Sequence, residues 1–324
     1  MKAVRIHEYG GPEVLSYEDI DKPEPQADQL VVRVEAAAVN MFDLTVREGR
    51  FKGPLPLPKT IGSDGAGVVE QAGADVEGPR AGDEVMFTGL GIGLQGSYAE
   101  YAIVLPVQAV PKPAGLAFTD AAAMGLVFPT ALYALTRRAG LQPGETVLVQ
   151  GAAGGVGSAA VQLARALGAR VLATVLEAEH VDQVRGLGAD EVVRWDEPEA
   201  VDRIKELTEG RGVDVVLEIA ASDNLAADLG LVAKGGRIAV VGGGSAAEAA
   251  VPFGAASGVD ASLLYLSSSN AGRAGMAQML REVGDMVARG EVRPVVCEVL
   301  PLSEAGRAHR RLLEPHFGKI VLAP

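Results

Sequence analysis

Gln150-Gly151-Ala152-Ala153-Gly154-Gly155-Val156-Gly157 stands between a short apolar run, residues 146–150, and an Ala/Leu-rich stretch, residues 158–167, that stops at Gly168. A strand feeding a glycine turn that opens a helix is the setting in which such a motif cradles a dinucleotide. Gly154 would let the backbone approach a pyrophosphate, and Gly157 would let helix and strand pack closely. Gly151, Ala152, Gly155 and Val156 complete the cradle, where free N–H groups and the positive end of the helix dipole face the phosphates. Ala152 takes the place of the usual first glycine. A tight turn without ligand is the alternative; the strand–turn–helix–strand context favours the nucleotide.

Roughly 20 residues on, the fingerprint expects an acidic residue to hold the ribose hydroxyls of NAD. That position is Val175, just after Thr174. Glu177 would repel a 2′-phosphate unless it turns away, and His180 would attract one only when protonated, its ordinary pKa being near 6.5. A solvated helix start is an equal reading of Glu177 and His180, so NAD and NADP are not separated here. Ala220 and Gly242-Gly243 follow two later strands. Ligands of doubly wound sheets lie beyond the carboxyl ends of strands, which makes these residues candidates for the nicotinamide half.

The elements that must position these residues are legible as patterns. The first third is β-rich, with apolar runs at residues 30–39, 65–70, 84–87 and 98–104 between Gly/Pro turns. A helical pattern starts at Thr119-Asp120, one of them its cap, and runs towards Arg138. Residues 146–150, 170–174, 191–194, 214–219 and 237–241 read as strands alternating with helices, which predicts an α/β protein with a doubly wound parallel sheet. A helix over 276–290 and short strands at 292–299 and 319–322 follow.

With 324 residues, 48% hydrophobic and 22% charged, the chain can build two domains with cores. A net charge of −13 and no Lys/Arg cluster longer than two argue against nucleic acid. The single cysteine, Cys297, rules out an internal disulfide framework and a cysteine zinc cage. No apolar signal core opens the sequence and no run of ~18 apolar residues is expected to span a membrane, so a soluble, cytoplasmic protein is expected.

Residues 1–6 with Gly10-Gly11-Pro12-Glu13-Val14-Leu15, Asn40, Asp43, Arg47 and Gly49, Gly62-x-Asp64-x-x-Gly67, Gly82-Asp83-x-Val85, the glycine turn and the closing Gly318-Lys319-Ile320-Val321-Leu322 occur together in order. The set resembles the zinc-free quinone oxidoreductase branch of the medium-chain dehydrogenase/reductase superfamily, over essentially the whole chain. The resemblance implies a Rossmann domain, residues 119–261, inserted into a GroES-like β-barrel domain, residues 1–118 and 262–324. It further implies NADPH as cofactor, with NADH the alternative, a quinone or activated α,β-unsaturated carbonyl as acceptor, and a homodimer paired through residues 263–266.

Zinc-dependent relatives place ligands where this sequence has Asn40, Ser63 and Leu126, and their structural zinc lobe where residues 88–96 lie; these residues cannot assemble a tetrahedral zinc site, and no metal is expected. Without a Lewis acid, alcohol–ketone interconversion is disfavoured, whereas reduction of a conjugated acceptor gives a delocalised anion that a few donors stabilise. The resemblance makes Asn40 the candidate catalytic donor and Thr130 its companion beside the nicotinamide. It reads Asp43 and Arg47 as an ion pair shaping the loop, and offers Trp195 as a cover for the adenosine or as core. Thr45 and Phe51 replace tyrosines of many relatives, which disfavours enoyl-thioester reduction. A crystallin-like or redox-sensor protein that binds NAD(P)H with little turnover is the competing function.

Overall fold

The computed structural model describes all 324 residues. The chain divides into two units, residues 1–129, 271–290 and 294–324, and residues 130–270 with 291–293.

The first unit carries β1 (Lys2–Ile6), β2 (Leu15–Asp19), β3 (Leu30–Ala38), β4 (Lys59–Thr60), β5 (Asp64–Ala72), β6 (Glu84–Phe87), β7 (Tyr101–Val104) and β8 (Val110–Pro111). In β3 seven of the nine residues are buried and only Arg33 is exposed, so both faces of the strand are covered along most of its length. β3 pairs antiparallel with β5 and β7, and β1 pairs with β2 and β4 in a separate small sheet. A core of Val, Leu and Ile, with Phe87 and Tyr98, fills the unit.

The second unit is the nucleotide-type sheet: β9 (Thr146–Val149), β10 (Arg170–Val175), β11 (Glu191–Arg194), β12 (Val213–Glu218), β13 (Val232–Val240) and β14 (Ser262–Tyr265). All pairings are parallel, in the order β11-β10-β9-β12-β13-β14. This is the Rossmann strand order, in which the chain reverses direction of growth beside its first strand. The four residues of β9 are all buried, as a strand covered on both faces must be. The chain then returns to the first unit, where β15 (Val296–Pro301) and β16 (Lys319–Ala323) pair, and β16 joins β3 through Val321 opposite Ala38.

Both domain boundaries lie later than the sequence predicts. β14 hydrogen-bonds to β13, so residues 262–265 complete the nucleotide sheet instead of leaving it. Residues 291–293 also stay with it, because Gln162 exchanges hydrogen bonds with the backbone of Arg293 at 2.8 and 2.9 Å. The first crossing falls inside the helical run Phe118–Arg138. That run is long and apolar enough to cross a membrane, contrary to expectation, but most of it is buried inside the protein. It begins one residue before Thr119, with Ala117 as N-cap and no side-chain cap bond. It breaks at Gly125, where a Cβ would lie 2.5 Å from the Asp64 carboxyl carbon. The missing side chain is what lets Asp64 reach the Leu126 N–H at 2.8 Å. Gly125→Ala is expected to lower stability by about 1–3 kcal/mol, the usual cost of overpacking, read as a lower urea midpoint at unchanged slope.

Candidate active site

β9 ends in the turn at residues 151–157, and the helix Gly155–Ala166 starts from an extended Gly154 N-cap. A Cβ on Gly157 would lie 2.3 Å from the Gly151 carbonyl, so only glycine lets the helix sit this low on the turn. A Cβ on Gly154 would meet only the Gly151 oxygen, at 3.6 Å, which leaves that backbone open. The first intrahelical bond runs from Ser158 N–H to Gly154, so the amides of Gly155, Val156 and Gly157 precede it and have no helical acceptor. No acidic residue occupies the first turn. An open backbone, unclaimed amides and a dipole end fit a diphosphate.

Ala152 and Thr174 lie beneath this turn. Ala152 is buried and its N–H bonds the Thr174 carbonyl at 2.8 Å; the Thr174 hydroxyl accepts from Gly151 N–H at 3.1 Å and donates to Gln150 at 2.6 Å. Ala220 and Gly243 form a bridge, and Ala221 N–H bonds the Gly242 carbonyl. The turn, Ala220 and Gly242-Gly243 thus gather at the carboxyl edge of three neighbouring strands. At the far end, His180 is buried and not part of a solvated helix start. Trp195 packs against the core and donates its indole N–H to Asn224 at 2.9 Å. Thr130 is buried, its hydroxyl 2.8 Å from that of Ser268.

The first unit gathers a second cluster. The helix Met41–Arg47 follows β3, and Asp43 reaches back to the Asn40 N–H at 2.9 Å. Asp43 also accepts from Ser63 at 3.0 Å and from Tyr98 at 3.1 Å. Asn40 donates its amide to Asp64 at 2.9 Å and makes a 3.3 Å contact with the Ala38 carbonyl. Its oxygen accepts from the Lys319 ammonium at 2.6 Å, and that ammonium also bonds the Val39 carbonyl. Arg47 only donates, so His309 Nδ1 accepts from it at 3.0 Å; the proton sits on Nε2, which donates to Tyr98 at 3.2 Å. Donors therefore run one way, Arg47 to His309 to Tyr98 to Asp43. Burial and the Asp64 charge push Asp43 up to about 7, and burial and Arg47 push His309 down to about 3. Burial also raises Asp64 and lowers Lys319.

Residues 26–114 match the family described as Alcohol dehydrogenase GroES-like domain, and residues 155–288 that described as Zinc-binding dehydrogenase. The chain is 36% identical to rat Quinone oxidoreductase, over 99% of this chain and 97% of the relative. It overlays the Escherichia coli quinone oxidoreductase complexed with NADPH at TM-score 0.91, 29% identity and full coverage of both chains. A structure described as an NAD-dependent alcohol dehydrogenase gives 0.94 and 36%, with both chains fully covered. This chain belongs to the quinone oxidoreductase branch of the medium-chain dehydrogenase/reductase superfamily.

In this quinone oxidoreductase-type chain the three positions that carry zinc ligands in the metal-dependent relatives serve buried carboxylates: Asn40 and the Leu126 amide bond Asp64, and Ser63 bonds Asp43. The expected Asp43–Arg47 ion pair is absent; Arg47 pairs with Glu48 at 2.7 Å, because the capping position turns Asp43 towards Ser63 and Tyr98. Thr45 spends its hydroxyl on the Phe42 carbonyl, and the Phe51 ring meets that of Phe42 at 5.2 Å with a 56° tilt. Sequence reasoning missed Arg194. It pairs with Val175 in the β10–β11 register, beside Glu177, and is held by Asp196 at 2.5 and 3.1 Å. Parallel register is the signal that finds it, since spacing from the glycine turn does not.

The raised Asp43 pKa carries a sign. Between 3.8 and about 7 the folded chain keeps a proton that the unfolded chain releases, so this group's contribution to stability falls as pH rises through that window. Each unit is worth about 1.4 kcal/mol. Asp43→Asn cannot ionise, so its stability relative to wild type is expected to improve by a few kcal/mol from pH 5 to pH 8, measured by urea unfolding at each pH. His309 contributes the opposite slope below 6.5, equally in both proteins, and cancels from the difference. A difference independent of pH would overturn the assignment.

Proposed function

We propose that this chain is an NADPH-preferring reductase that transfers a hydride, without zinc, to a quinone or an activated α,β-unsaturated carbonyl. The observation that carries the reading is the open turn at residues 151–157, whose unclaimed amides begin the helix Gly155–Ala166. When bound, NAD(P)H supplies the hydride. Gly151, Gly154, Gly155, Val156 and Gly157 hold the diphosphate, with Ala152 and Thr174 supporting the turn. Ala220, Gly242, Gly243 and Thr130 bind the nicotinamide half, and Glu177, His180 and Trp195 flank the adenosine.

NADPH preference is supported by Val175, which offers no carboxylate to a 2′-hydroxyl, and by Arg194 alongside it. Arg194→Ala is expected to raise the Kd of NADPH about tenfold, the worth of one charge-assisted contact, and to leave NADH within twofold, read by nicotinamide fluorescence. Equal effects on both would reassign Arg194 to its Asp196 pair.

Asn40 acts on the acceptor side. The amide hydrogen that makes only the 3.3 Å contact to Ala38 is the one an acceptor oxygen would share, while Asp64 and Lys319 keep the amide oriented. A reduced quinone or enolate spreads its own charge, so donors suffice where an alkoxide would need a metal. β14 is the edge strand of its sheet and exposes Tyr265, which supports a homodimer paired there. The single cysteine and the acidic charge suit a cytoplasmic protein without nucleic-acid partners.

The test is NADPH oxidation with a panel of quinones and enones before and after dialysis against a chelator. Turnover of 9,10-phenanthrenequinone-type acceptors is expected to survive chelation. Tight NADPH binding with no turnover would make the chain a binding protein, and loss of activity on chelation would overturn the zinc-free reading.

A further inference from the structure

Glu218 ends β12 and Asp228 ends the helix Ala221–Asp228, and both are wholly buried. Glu218 Oε1 accepts from the Ala220 N–H and from the Asn224 amide at 3.2 Å. Asp228 Oδ1 accepts from the Gln150 amide at 2.8 Å. The remaining oxygens, Glu218 Oε2 and Asp228 Oδ2, are buried and receive no donor from any other group. Glu218 acts on Asp228 both as a hydrogen-bond partner and as a neighbouring charge, and these two partnerless buried oxygens are what the pair has left to share. Two acceptors bond only if one carries a proton.

The groups that hydrogen-bond the pair are neutral. Gln150 faces it from the end of β9, Asn224 from the helix and Ala220 from the loop; the charges acting on Asp228 are those of Glu218 alone, with no lysine, arginine or histidine among them. No cation compensates a double negative charge here. Burial and Glu218 together hold the Asp228 carboxyl well above the usual carboxylate range, as a site without a counter-ion requires.

Hydrogen bonds lead from the pair to three parts of the binding edge. Gln150 donates to Asp228, so its oxygen is left to accept from Thr174, which in turn accepts from the Gly151 N–H at the start of the glycine turn. Asn224 donates to Glu218 and accepts from Trp195. Ala220, bridged to Gly243, donates to Glu218 directly.

We propose that Glu218 and Asp228 share one proton and act as a positioning pair for the dinucleotide, locking the glycine turn, the Ala220 loop and Trp195 in one arrangement that loosens when the proton leaves. Neither residue touches the cofactor. The inference rests on the reading above that this edge binds NAD(P)H.

The test compares wild type with Asp228→Asn, whose amide supplies the hydrogen of the shared proton and cannot lose it. NADH is the probe, because its lack of a 2′-phosphate removes a titrating group of the ligand. The NADH Kd, followed upward from pH 7 for as long as the fold holds, is expected to rise about tenfold or more in wild type and less than about twofold in Asp228→Asn, and tenfold corresponds to about 1.4 kcal/mol. Melting without cofactor is the second readout. A raised folded pKa gives stability that is lost as pH rises through it, so wild type is expected to lose Tm relative to Asp228→Asn over the same range. Glu218→Gln makes the same substitution from the other side and carries the test if Asp228→Asn does not fold. Equal Kd ratios and equal Tm trends in wild type and variant, with NADH bound tightly, would overturn the pair. Failure of wild type to bind NADH or NADPH at any pH would overturn the cofactor reading, while the melting curves would still decide whether the proton is shared.

Discussion

A carboxylate taken out of water must find a cation, several donors or a proton, and each unit of this chain buries two carboxyl groups and meets the demand differently. In the first unit Asp43 and Asp64 are served by donors from Asn40, Ser63, Thr88, Tyr98 and the Leu126 amide, and by the charge of Lys319. Much of the unit follows from that. β16 must lie on β3 with Val321 opposite Ala38 for Lys319 to reach Val39 and Asn40, and residue 125 must lack a side chain for Asp64 to reach its amide. In the second unit Glu218 and Asp228 hydrogen-bond only neutral groups, and the compensation proposed above is a shared proton. Such clusters are weak evidence for net stability, since an apolar replacement of the whole set costs little; what they fix is position, because removing one member strands the rest.

This division explains what could be read from the sequence. The strand–turn–helix pattern of the glycine turn is a local matter of periodicity and glycine placement, and the parallel sheet followed from its repetition. Gly154 and Gly157 lie where the spacing put them. The departures are all non-local. Residues 262–265 belong to the nucleotide sheet because β13 pairs with them, which no property of residues 262–265 alone announces. Arg194 stands beside Val175 because two strands share a register. Asp43 and Arg47, four residues apart on one short helix, look like an ion pair until His309 and Tyr98 arrive from elsewhere in the chain and claim them separately. Thr174 looks like a ligand residue by its place at a strand end, but an unpaired hydroxyl next to the Gly151 amide and Gln150 is better satisfied by them.

The same logic bears on the positions that hold zinc in the metal-dependent relatives. A zinc ligand must offer a lone pair that nothing else uses, and the tetrahedral site must collect four of them. Asn40 offers its oxygen to an ammonium, Ser63 gives its hydroxyl hydrogen to Asp43, and at Leu126 only the backbone amide is polar and it is a donor. The local charge is therefore carried by Lys319, a cation that presents hydrogens and not vacant coordination positions. An oxygen beside this cluster would meet donors of fixed direction and modest strength. Under the function proposed above, such donors favour acceptors whose reduced form already disperses its charge over a conjugated system above those that concentrate it on one alkoxide oxygen, so the hydrogen-bond economy of two buried aspartates would bear on the chemistry as much as the shape of any pocket.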